Sequence, residues 1–462
     1  MGNISTYDSY VFNNYFGIDL PEHWDEKRLG YLASNDKNAF VDGPFGSDLK
    51  TNDYKEDGIP LIQLNNIRDG KHILRNFKYV TEQKKNELSR HIARPRDIVL
   101  AKMAEPVARS AIVSEQFDEY VIVADCVKMT PDSQKIDLNF LNWAINSEVV
   151  KTQAELVSTG TTRIRISLGE LKKLKVPYPS HDEQTKIANF LDHETAKIDT
   201  LIEKQQQLIK LLKEKRQAVI SHAVTKGLNP QAPMKDSGVE WLGEVPEHWG
   251  VGKLGYYSRV INGSTPSKVN QSYWDKREVP WLSSGSVNQY NITTASDYIS
   301  EKALKECSVE LLPVGTLVMG MIGQGKTRGM SAITHIEATI NQNLAAIIPD
   351  NRLDSEYGHL VLQAAYNEIR ECARGGNQAA LNCELISNFK VTVPSIDEQK
   401  QIVVDTNAKL NRFDQIIKKT MDFVEHSQER RTALISAAVT GKIDVRNWQA
   451  PISQDQAVEQ TA

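Results

Sequence analysis

The sequence predicts an α+β protein built as a pseudo-twofold tandem duplication. Each half contains a mixed α/β domain followed by a long α-helix, and the two helices are expected to pack as a coiled-coil spacer. Two observations predict this architecture: a segment of about forty residues recurs 215 positions later, and each copy carries a capped helix with an apolar stripe. The length of 462 residues suffices for two to four domains.

The repeat is long and has two parts. The segment VPYPSHDEQTKI at 176–187 returns as VTVPSIDEQKQI at 391–402, and the similarity continues without a gap into the following residues. A second echo opens each half, where LPEHWDEKRLGY at 20–31 matches VPEHWGVGKLGY at 245–256. A period this long indicates two related domains, because solenoid repeats are about 20–50 residues long.

Both predicted helices begin at an S-x-x-E capping box, with Ser180 in the first and Ser395 in the second. The first helix is predicted over 182–224, which corresponds to roughly 60 Å. An apolar stripe at heptad spacing follows each cap and is expected to form the spacer and a docking surface for partners. Its members are Ile187, Leu191, Ile198, Leu201, Leu208, Leu212 and Val219 in the first helix, and Phe413, Ile416, Phe423 and Leu434 in the second. The stripe fixes no relative orientation, and a homodimeric coiled coil is the alternative to an intramolecular pair.

Seven segments follow from these repeats. They are an N-terminal segment (1–20), a first variable domain (21–178), a first long helix (179–228), a linker (229–245), a second variable domain (246–393), a second long helix (394–441) and a disordered tail (442–462). Pro230 and Pro233 mark the linker.

The two variable domains are predicted to share loop positions as well as a mixed α/β character. The segment DGPFGSDL at 42–49 corresponds to NGSTPSKV at 262–269, and STGTTRIRISLGEL at 158–171 corresponds to ARGGNQAALNCELI at 373–386. Strands are predicted near residues 59–64, 97–100, 120–123, 316–319 and 343–348, and helices near 139–150 and 356–373.

The composition is that of an ordinary soluble globular protein, with 40% hydrophobic and 25% charged residues. The four cysteines form no C-x-x-C pair, so neither a zinc knuckle nor a disulfide framework is expected. No apolar run approaches a membrane span and no secretory signal is visible, so we expect a cytoplasmic protein without a membrane partner.

One segment resembles a nucleotide-binding loop. The residues GMIGQGKT at 320–327 fit the pattern G-x-x-x-x-G-K-[ST], but the residues that follow predict another strand, whereas the motif needs a helix beginning at the lysine. The corresponding segment of the first domain lacks the glycines. Asp132 with Glu170 and Lys172 is a weaker match to a nuclease carboxylate–lysine set, and the second half does not repeat it. No catalytic or metal-binding set is therefore predicted.

The paired PEHW and DEQ segments, the helices ending SHAVTKG and SAAVTGK, and the two-unit order together resemble the specificity subunit of type I restriction–modification systems. The resemblance covers about residues 10–440. It implies that each variable domain is a target recognition domain, that the helices are a spacer, and that the subunit performs no chemistry. The N-terminal NNYFGID at 13–19 departs from the GVEWLGE-type segment of the second half.

The resemblance also implies partners and cofactors. The partners are double-stranded DNA with a bipartite asymmetric target, two modification (methyltransferase) subunits and ATP-dependent restriction subunits. This chain is expected to hold no cofactor, while the partner subunits use S-adenosylmethionine, ATP and Mg²⁺. Net charges of +1 over 21–178 and −1 over 246–393 mean that DNA contacts must be local. The expected DNA-facing residues are Ser47, Arg163, Arg165, Lys268, Lys326, Arg328, Arg374 and Gln378.

Two alternatives stay open at this point. One is a nucleotide-binding enzyme built on residues 320–327, and the other is a coiled-coil adaptor whose variable domains bind protein. The near-neutral charge of both variable domains keeps the adaptor in contention, because phosphate binding needs local cations.

Overall fold

A computed structural model of the protein describes residues 5–68, 70–103, 106–160, 163–323, 325–375 and 379–450. The chain forms two compact units, Met1–Gln205 with Asp422–Ala462, and Gln206–Met421. Each unit contains one mixed α/β domain and a part of both long helices.

The first unit is built from short strands and short helices that lead into a long helix. Its strands are β1 (Tyr10–Asn13), β2 (Ile18–Pro21), β3 (Asp25–Arg28), β4 (Phe40–Asp42), β5 (Ile59–Ile62), β6 (Ile67–Arg68), β7 (Lys71–His72), β8 (Tyr79–Val80), β9 (Ile92–Ala93), β10 (Ile98–Ala101), β11 (Ser110–Ile112), β12 (Tyr120–Ile122), β13 (Cys126–Met129) and β14 (Lys175–Tyr178). Its helices are α1 (Leu29–Leu32), α2 (Glu82–Glu87), α3 (Leu138–Ile145), α4 (Glu148–Leu156), α5 (Leu168–Lys173) and the start of α6 (His181–Thr225).

The second unit repeats this order of elements. Its strands are β15 (Met234–Asp236), β16 (Glu244–Pro246), β17 (Gly250–Lys253), β18 (Ser258–Asn262), β19 (Val279–Leu282), β20 (Asn291–Ile292), β21 (Asp297–Ile299), β22 (Leu317–Gly320), β23 (Ser331–Thr334), β24 (Thr339–Ile340), β25 (Leu344–Pro349) and β26 (Lys390–Val393). Its helices are α7 (Glu301–Glu306), α8 (Ser355–Ala364), α9 (Tyr366–Glu371), α10 (Cys383–Asn388) and most of α11 (Ile396–Val439).

The two variable domains share a core sheet topology, to which the first domain adds β9 and the second adds β20. The order β11-β10-β13-β4 in the first domain matches β23-β22-β25-β18 in the second. A second sheet runs β8-β5-β12 in one and β21-β19-β24 in the other, and its parallel pair is β5 with β12, or β19 with β24. The predicted α+β tandem duplication is confirmed, and it extends to domains whose sequences show little similarity.

The two long helices pack against each other within both units. In the first unit, Ile187 and Leu191 of α6 share a buried cluster with Ile435 and Val439 of α11. The Arg431 guanidinium binds the Asp199 carboxylate at 2.6 Å, about two turns beyond Leu191 in α6 and about one turn before Ile435 in α11. Contacts between the start of α6 and the end of α11 show that the helices run antiparallel here.

The second unit contains the complementary pairing. Ile220 and Val224 near the end of α6 share a cluster with Ile402 and Leu410 near the start of α11. Arg216 binds Asp414 at 2.9 Å, with Nε on Oδ1. The intramolecular helix pair predicted from the sequence is therefore present, and its direction is antiparallel, which the sequence left open.

The apolar stripe between the helices differs in part from the predicted heptad seam. Ile187 and Leu191 are buried, and Ile198, Leu212 and Val219 are half-buried, as are Phe413 and Leu434. Four other predicted members stay exposed: Leu201, Leu208, Ile416 and Phe423. The α11 stripe that is buried instead includes Thr406, Leu410, Ile417, Thr420 and Ser427. Its small polar members went unrecognised in a search for apolar residues alone.

A tryptophan and a histidine clamp the start of each long helix. In the first unit, the His23 imidazole lies 2.9 Å from Glu183 Oε1, and the Trp24 indole N–H donates to the same oxygen at 3.5 Å. Glu183 also accepts hydrogen bonds from Ser180, which completes the predicted capping box. Burial opposes ionisation of Glu183, but the hydrogen bonds from His23 and Ser180 outweigh it and lower its pKa.

The second unit has the same clamp. His248 Nε2 lies 3.0 Å from Glu398 Oε2, and Trp249 Nε1 donates to Glu398 Oε1 at 3.0 Å. The glycine that ends α6, Gly227, has a φ of +74° and packs on the Trp249 ring, where an added Cβ would come within 3.0 Å of it. In the first unit, Gly441 at the end of α11 packs on Trp24 in the same way. Each tryptophan therefore joins the beginning of one long helix to the end of the other.

The glutamine of each DEQ segment connects the helix to its own variable domain. Gln184 Nε2 donates to the Pro179 carbonyl at 2.9 Å, and its Oε1 accepts from the Asp137 backbone N–H at 2.8 Å. Gln399 makes the same bonds to Pro394 and to the Asp354 N–H. Since Asp137 and Asp354 are the N-caps of α3 and α8, these amides fix a domain helix against the long helix.

Two predicted segments are more structured than expected. The linker at 229–245 contains β15, which pairs with β16 as β1 pairs with β2 in the first unit. The predicted tail begins later than residue 442, because Asp444 bridges to Ser5, Val445 is buried, and Trp448 packs edge-on to Phe190. The composition of the segment did not predict these contacts, because they are made with residues distant along the chain. Residues 451–462 lie outside the described residues. Among the described helices, none is long and apolar enough to cross a membrane.

We expect Trp249→Ala to lower the free energy of unfolding of the second unit by about 3–5 kcal/mol, because it removes a fully buried ring and its bond to Glu398. Trp249→Phe should cost less, since most of the ring volume remains. Urea unfolding of the full chain, with hydrogen exchange to locate the change, measures both. Leu211→Ala, at an exposed position on α6, is the control and should change stability by less than about 0.5 kcal/mol. Equal losses for Trp249→Ala and Leu211→Ala would contradict the clamp.

Acid should weaken the second unit through His359. Burial lowers the pKa of this histidine to about 4, and its Nδ1 lies 3.1 Å from Ser331 Oγ. Because the folded-state pKa is below the unfolded value of about 6.5, its contribution is complete above that pH and is lost as the pH falls towards 4. The free energy of unfolding should fall by up to about 3 kcal/mol over this window, and His359→Gln should flatten the dependence. His222→Gln, at an exposed histidine on α6 in the same unit, should leave the pH profile unchanged.

Candidate nucleic-acid interface

Three loops of the first domain lie together, and we name them loop A1 (42–49), loop B1 (102–109) and loop C1 (158–166). Loop C1 joins loop B1 where the Ile166 N–H donates to the Lys102 carbonyl at 2.9 Å. Loop A1 joins loop B1 where Lys102 Nζ lies 3.3 Å from the Asp42 carboxylate. At Gly43 a Cβ would lie only 1.9 Å from the Val123 carbonyl oxygen, so only glycine allows this approach.

The second domain has equivalent loops, which we name loop A2 (262–269), loop B2 (321–330) and loop C2 (373–381). The Leu381 N–H donates to the Met321 carbonyl at 2.9 Å and joins C2 to B2. Gly263 is equivalent to Gly43, because a Cβ at this position would also lie too close to a backbone carbonyl, 2.0 Å from the Ile340 oxygen. The loop correspondence predicted from the sequence therefore matches the structure of each domain.

Five of the eight predicted DNA-facing residues lie on these loops with exposed side chains: Ser47, Arg163, Lys268, Lys326 and Arg374. Across the part of the chain that the structure describes, none of the four cations among them forms an ion pair. Ser47 Oγ donates to the neighbouring Asp48 at 3.1 Å. These groups are available to a polyanion, because no internal carboxylate neutralises them.

The other three predicted residues differ in their surroundings. Arg165 binds the Asp125 carboxylate at 2.6 Å, so its charge is already paired although the side chain is half exposed. Arg328 is half-buried, and its guanidinium donates to the Ala379 carbonyl, which ties loop B2 to loop C2. Arg328 thus holds two loops together, and its contact with DNA stays a prediction. Gln378 lies outside the described residues.

Two loop-holding arginines were missed in the sequence. Arg109 is buried and donates to the carbonyls of Ile67 (2.7 Å) and Leu64 (2.9 Å), and also to carbonyls of loop B1 itself. Arg370 of α9 donates to the carbonyls of Gly325 (2.9 Å) and Arg328 (2.8 Å) in loop B2. Each guanidinium donates to several carbonyls and so fixes the course of the loop around it. No sequence pattern reveals this role, because it depends on carbonyls that are distant along the chain.

The nucleotide-binding interpretation of residues 320–327 is wrong. Strand β22 is followed by the antiparallel strand β23, and no helix begins at Lys326. The Lys326 carbonyl instead accepts a hydrogen bond from the Tyr366 hydroxyl at 2.7 Å. Without a helix N-terminus, the backbone amides that hold phosphate in such loops are lacking.

The three residues of the predicted nuclease-like set, Asp132, Glu170 and Lys172, each contact a different neighbour. Asp132 pairs with Lys135 at 3.0 Å, Glu170 pairs with Lys173 at 2.8 Å, and Lys172 lies over the Phe40 ring.

Burial raises the pKa of the Cys126 thiol to about 12, which disfavours a reactive thiolate. Among the described residues, no group of three or more His, Cys, Asp and Glu side chains is placed to hold a metal ion.

Comparison with known proteins assigns the family. Residues 21–211 and 246–424 match the family described as "Type I restriction modification DNA specificity domain". The chain belongs to this family. The two matched regions each contain a variable domain and the first part of the long helix that follows it.

Individual relatives agree with the assignment. The EcoR124I/EcoR124II specificity subunit of Escherichia coli is 26% identical over 282 residues, which is 59% of this chain and 63% of that relative. The MjaIX specificity subunit of Methanocaldococcus jannaschii is 21% identical and the match covers 92% of this chain and 95% of that one. A solved chain from work on complex assembly and conformational transition of the type I R-M system has a TM-score of 0.70 at 15% identity, with 91% and 99% covered, and it supports the fold. The family match and the shared fold therefore agree in placing the chain among the DNA specificity proteins of type I restriction–modification systems.

The different surroundings of Lys326 and Arg328 predict different effects. Lys326→Ala should weaken DNA binding and reduce the slope of log affinity against log salt by about one, because one phosphate contact is lost. Arg328→Ala should lower the free energy of unfolding of the second unit by about 1–3 kcal/mol, because the Ala379 carbonyl loses its donor. Salt titrations of DNA binding and thermal unfolding separate the two effects.

Lys302→Ala supplies the control for these variants, since Lys302 is exposed on α7 outside the three loops. It should leave both the salt slope and the stability unchanged. A salt slope that is unchanged in Lys326→Ala would remove Lys326 from the interface.

Proposed function

We propose that this chain reads a bipartite, asymmetric DNA target, with the A, B and C loops of each domain contacting one half-site. The observation that carries the proposal is that both domains present the same three loops with different side chains. Loop A1 has the residues DGPFGSDL where loop A2 has NGSTPSKV, and loop C1 carries Thr159 where loop C2 carries Arg374. Equivalent scaffolds with unlike loops suit two half-sites of unlike sequence.

The chemistry of the loops suits a duplex. The exposed loop cations suit contacts with phosphates, which position a protein on DNA without reading its sequence. They are Arg163, Lys268, Lys326 and Arg374. Polar loop residues such as Ser47 suit base edges in the groove, where donors and acceptors distinguish the four base pairs. This arrangement accounts for domains that are nearly neutral in total charge, because only the loops need to be cationic.

The two long helices serve as the spacer and the dock in this proposal. Helix α6 has 45 residues and α11 has 44, or about 66–68 Å each at 1.5 Å per residue, so their length sets the gap between the half-sites. The duplication makes the two helices alike, which suits two identical modification subunits. The exposed apolar side chains of Leu201, Leu208, Ile416 and Phe423 are the candidate contacts.

The chemistry itself would reside in the partner subunits. Modification subunits would supply S-adenosylmethionine for adenine methylation, and restriction subunits would supply ATP and Mg²⁺ chemistry. This chain would hold none of these cofactors. It would act in the cytoplasm, where its DNA target lies.

The decisive measurement maps methylated adenines by long-read sequencing in cells that express this chain with its modification subunit. We expect one split, asymmetric motif that depends on this chain. Exchanging residues 246–393 for those of a relative should change one half of the motif, leave the other half intact and leave the assembly with the modification subunits unchanged.

Two outcomes would reject the proposal. The first is the absence of chain-dependent methylation when the modification subunit is present and active with another specificity subunit. The second is an exchange of residues 246–393 that abolishes assembly with partner subunits without altering the DNA motif, which would favour a protein-binding adaptor.

A further inference from the structure

Two apolar side chains project from equivalent loops of the two domains. Among the described residues, the large apolar side chains with the greatest exposure are Val269 at 93% and Phe45 at 77%. Val269 lies on loop A2 and Phe45 on loop A1. Single exposed apolar residues are common on protein surfaces and usually carry no meaning. Here the two most exposed large apolar side chains among the described residues lie on corresponding loops of the two domains.

Loop A1 is anchored on both sides of Phe45. Pro44 is buried, and Leu49 packs in a cluster with Leu61 and Val80. The Asp48 N–H donates to the Phe45 carbonyl at 2.9 Å and closes a turn. The phenyl ring is therefore exposed on a loop whose backbone is fixed by its neighbours, and an ordered loop can hold a ring in one position for a ligand.

Loop A2 is anchored by different residues to the same effect. Pro266 is buried, and the Ser264 N–H donates to the Ile340 carbonyl at 3.0 Å. The indole of Trp274 donates to the Ser267 carbonyl at 3.3 Å, two residues before Val269. Unlike side chains thus produce the same result, an exposed apolar group on an anchored loop, although Val269 corresponds in the alignment to the buried Leu49 and not to Phe45.

The surroundings of both residues favour DNA as the ligand. Lys268 directly precedes Val269, and both side chains are exposed. In the first domain the exposed Arg163 lies on loop C1, which is joined to loop A1 through loop B1. A second partly exposed apolar residue also lies on these loops in each domain, Ile164 in one and Ile322 in the other. Apolar groups among unpaired cations match the major groove, where phosphates flank the one apolar group of a base edge, the C5-methyl of thymine.

We propose that Phe45 and Val269 are specificity-determining residues, each of which contacts the C5-methyl group of a thymine in the half-site read by its own domain. This inference rests on the proposed function. It adds the chemical class of one recognised group in each half-site. Neither residue is among the DNA-facing residues predicted from the sequence. An apolar residue in a loop does not by itself indicate a contact with a base.

The test uses the full complex of this chain with its modification subunits and a duplex that contains the motif from the methylation map. Each thymine of the motif is replaced in turn by deoxyuridine, which lacks only the methyl group. Losing one buried methyl contact corresponds to roughly a threefold to tenfold loss of affinity. We expect the wild-type complex to show this loss at one thymine in each half-site.

The variants assign each thymine to a residue. Phe45→Ala should weaken binding to the thymine duplex by a similar factor and should become insensitive to deoxyuridine in one half-site only. Val269→Ala should do the same in the other half-site. Phe45→Leu and Val269→Ile keep an apolar contact and should retain the sensitivity. Leu156→Ala is the matched control, since Leu156 is 72% exposed at the end of α4, outside the three loops.

Contrary results separate the inference from the function on which it rests. If deoxyuridine weakens the wild-type and alanine complexes equally at every position, the thymine contact is refuted while the motif itself still stands. If Phe45→Ala or Val269→Ala reduces assembly with the modification subunits and leaves the motif unchanged, the side chain contacts protein and the inference is also refuted. Absence of any motif with the wild-type chain refutes the proposed function instead.

Discussion

The structure depends on one interaction that occurs twice. A glutamate at the start of each long helix is hydrogen-bonded to a histidine and a tryptophan at the beginning of the domain that precedes the helix. Glu183 meets His23 and Trp24 across about 160 residues of chain, and Glu398 meets His248 and Trp249 in the same way. Glu183 is buried and Glu398 is half-buried, and a carboxylate removed from water is stable only when hydrogen bonds replace its lost hydration. Each glutamate therefore closes its variable domain between the first and last segments of that domain.

The A, B and C loops belong to the domains that these contacts close. The same tryptophans pack on Gly441 and Gly227, and the adjacent glutamines Gln184 and Gln399 hold the N-caps of α3 and α8. Framework residues are thus committed to joining the domain to the helices, while the loops at 42–49 and 262–269 make few contacts with that framework. This division of labour explains why the framework segments repeat along the chain and the loops do not. Within these loops Gly43 and Gly263 are required by close backbone approach, whereas the exposed positions can vary without loss of the fold.

Arginine serves two purposes in these domains, and the structure separates them. Arg109 and Arg370 donate to several loop carbonyls each, and Arg328 joins two loops. Arg163 and Arg374 are exposed and form no ion pair within the described residues. In a nearly neutral domain, the exposed cations on the loops therefore define the surface that suits a polyanion.

The sequence by itself determined the duplication, the long helices and the loop correspondence, because these features are local or repeated. The capping box at Ser180 predicts a helix start within about two residues of the observed His181, and the box at Ser395 does the same for Ile396. The prediction succeeds because a cap is formed by residues only three apart. Only the tertiary structure decided the antiparallel direction of the helices, the burial of small polar residues such as Thr406 and Ser427, and the structured residues 442–448. It also decided which loop cations are exposed and which hold carbonyls, and it revealed Phe45 and Val269. The physical reason is that exposure and pairing depend on groups that are distant along the chain, and no local pattern records them.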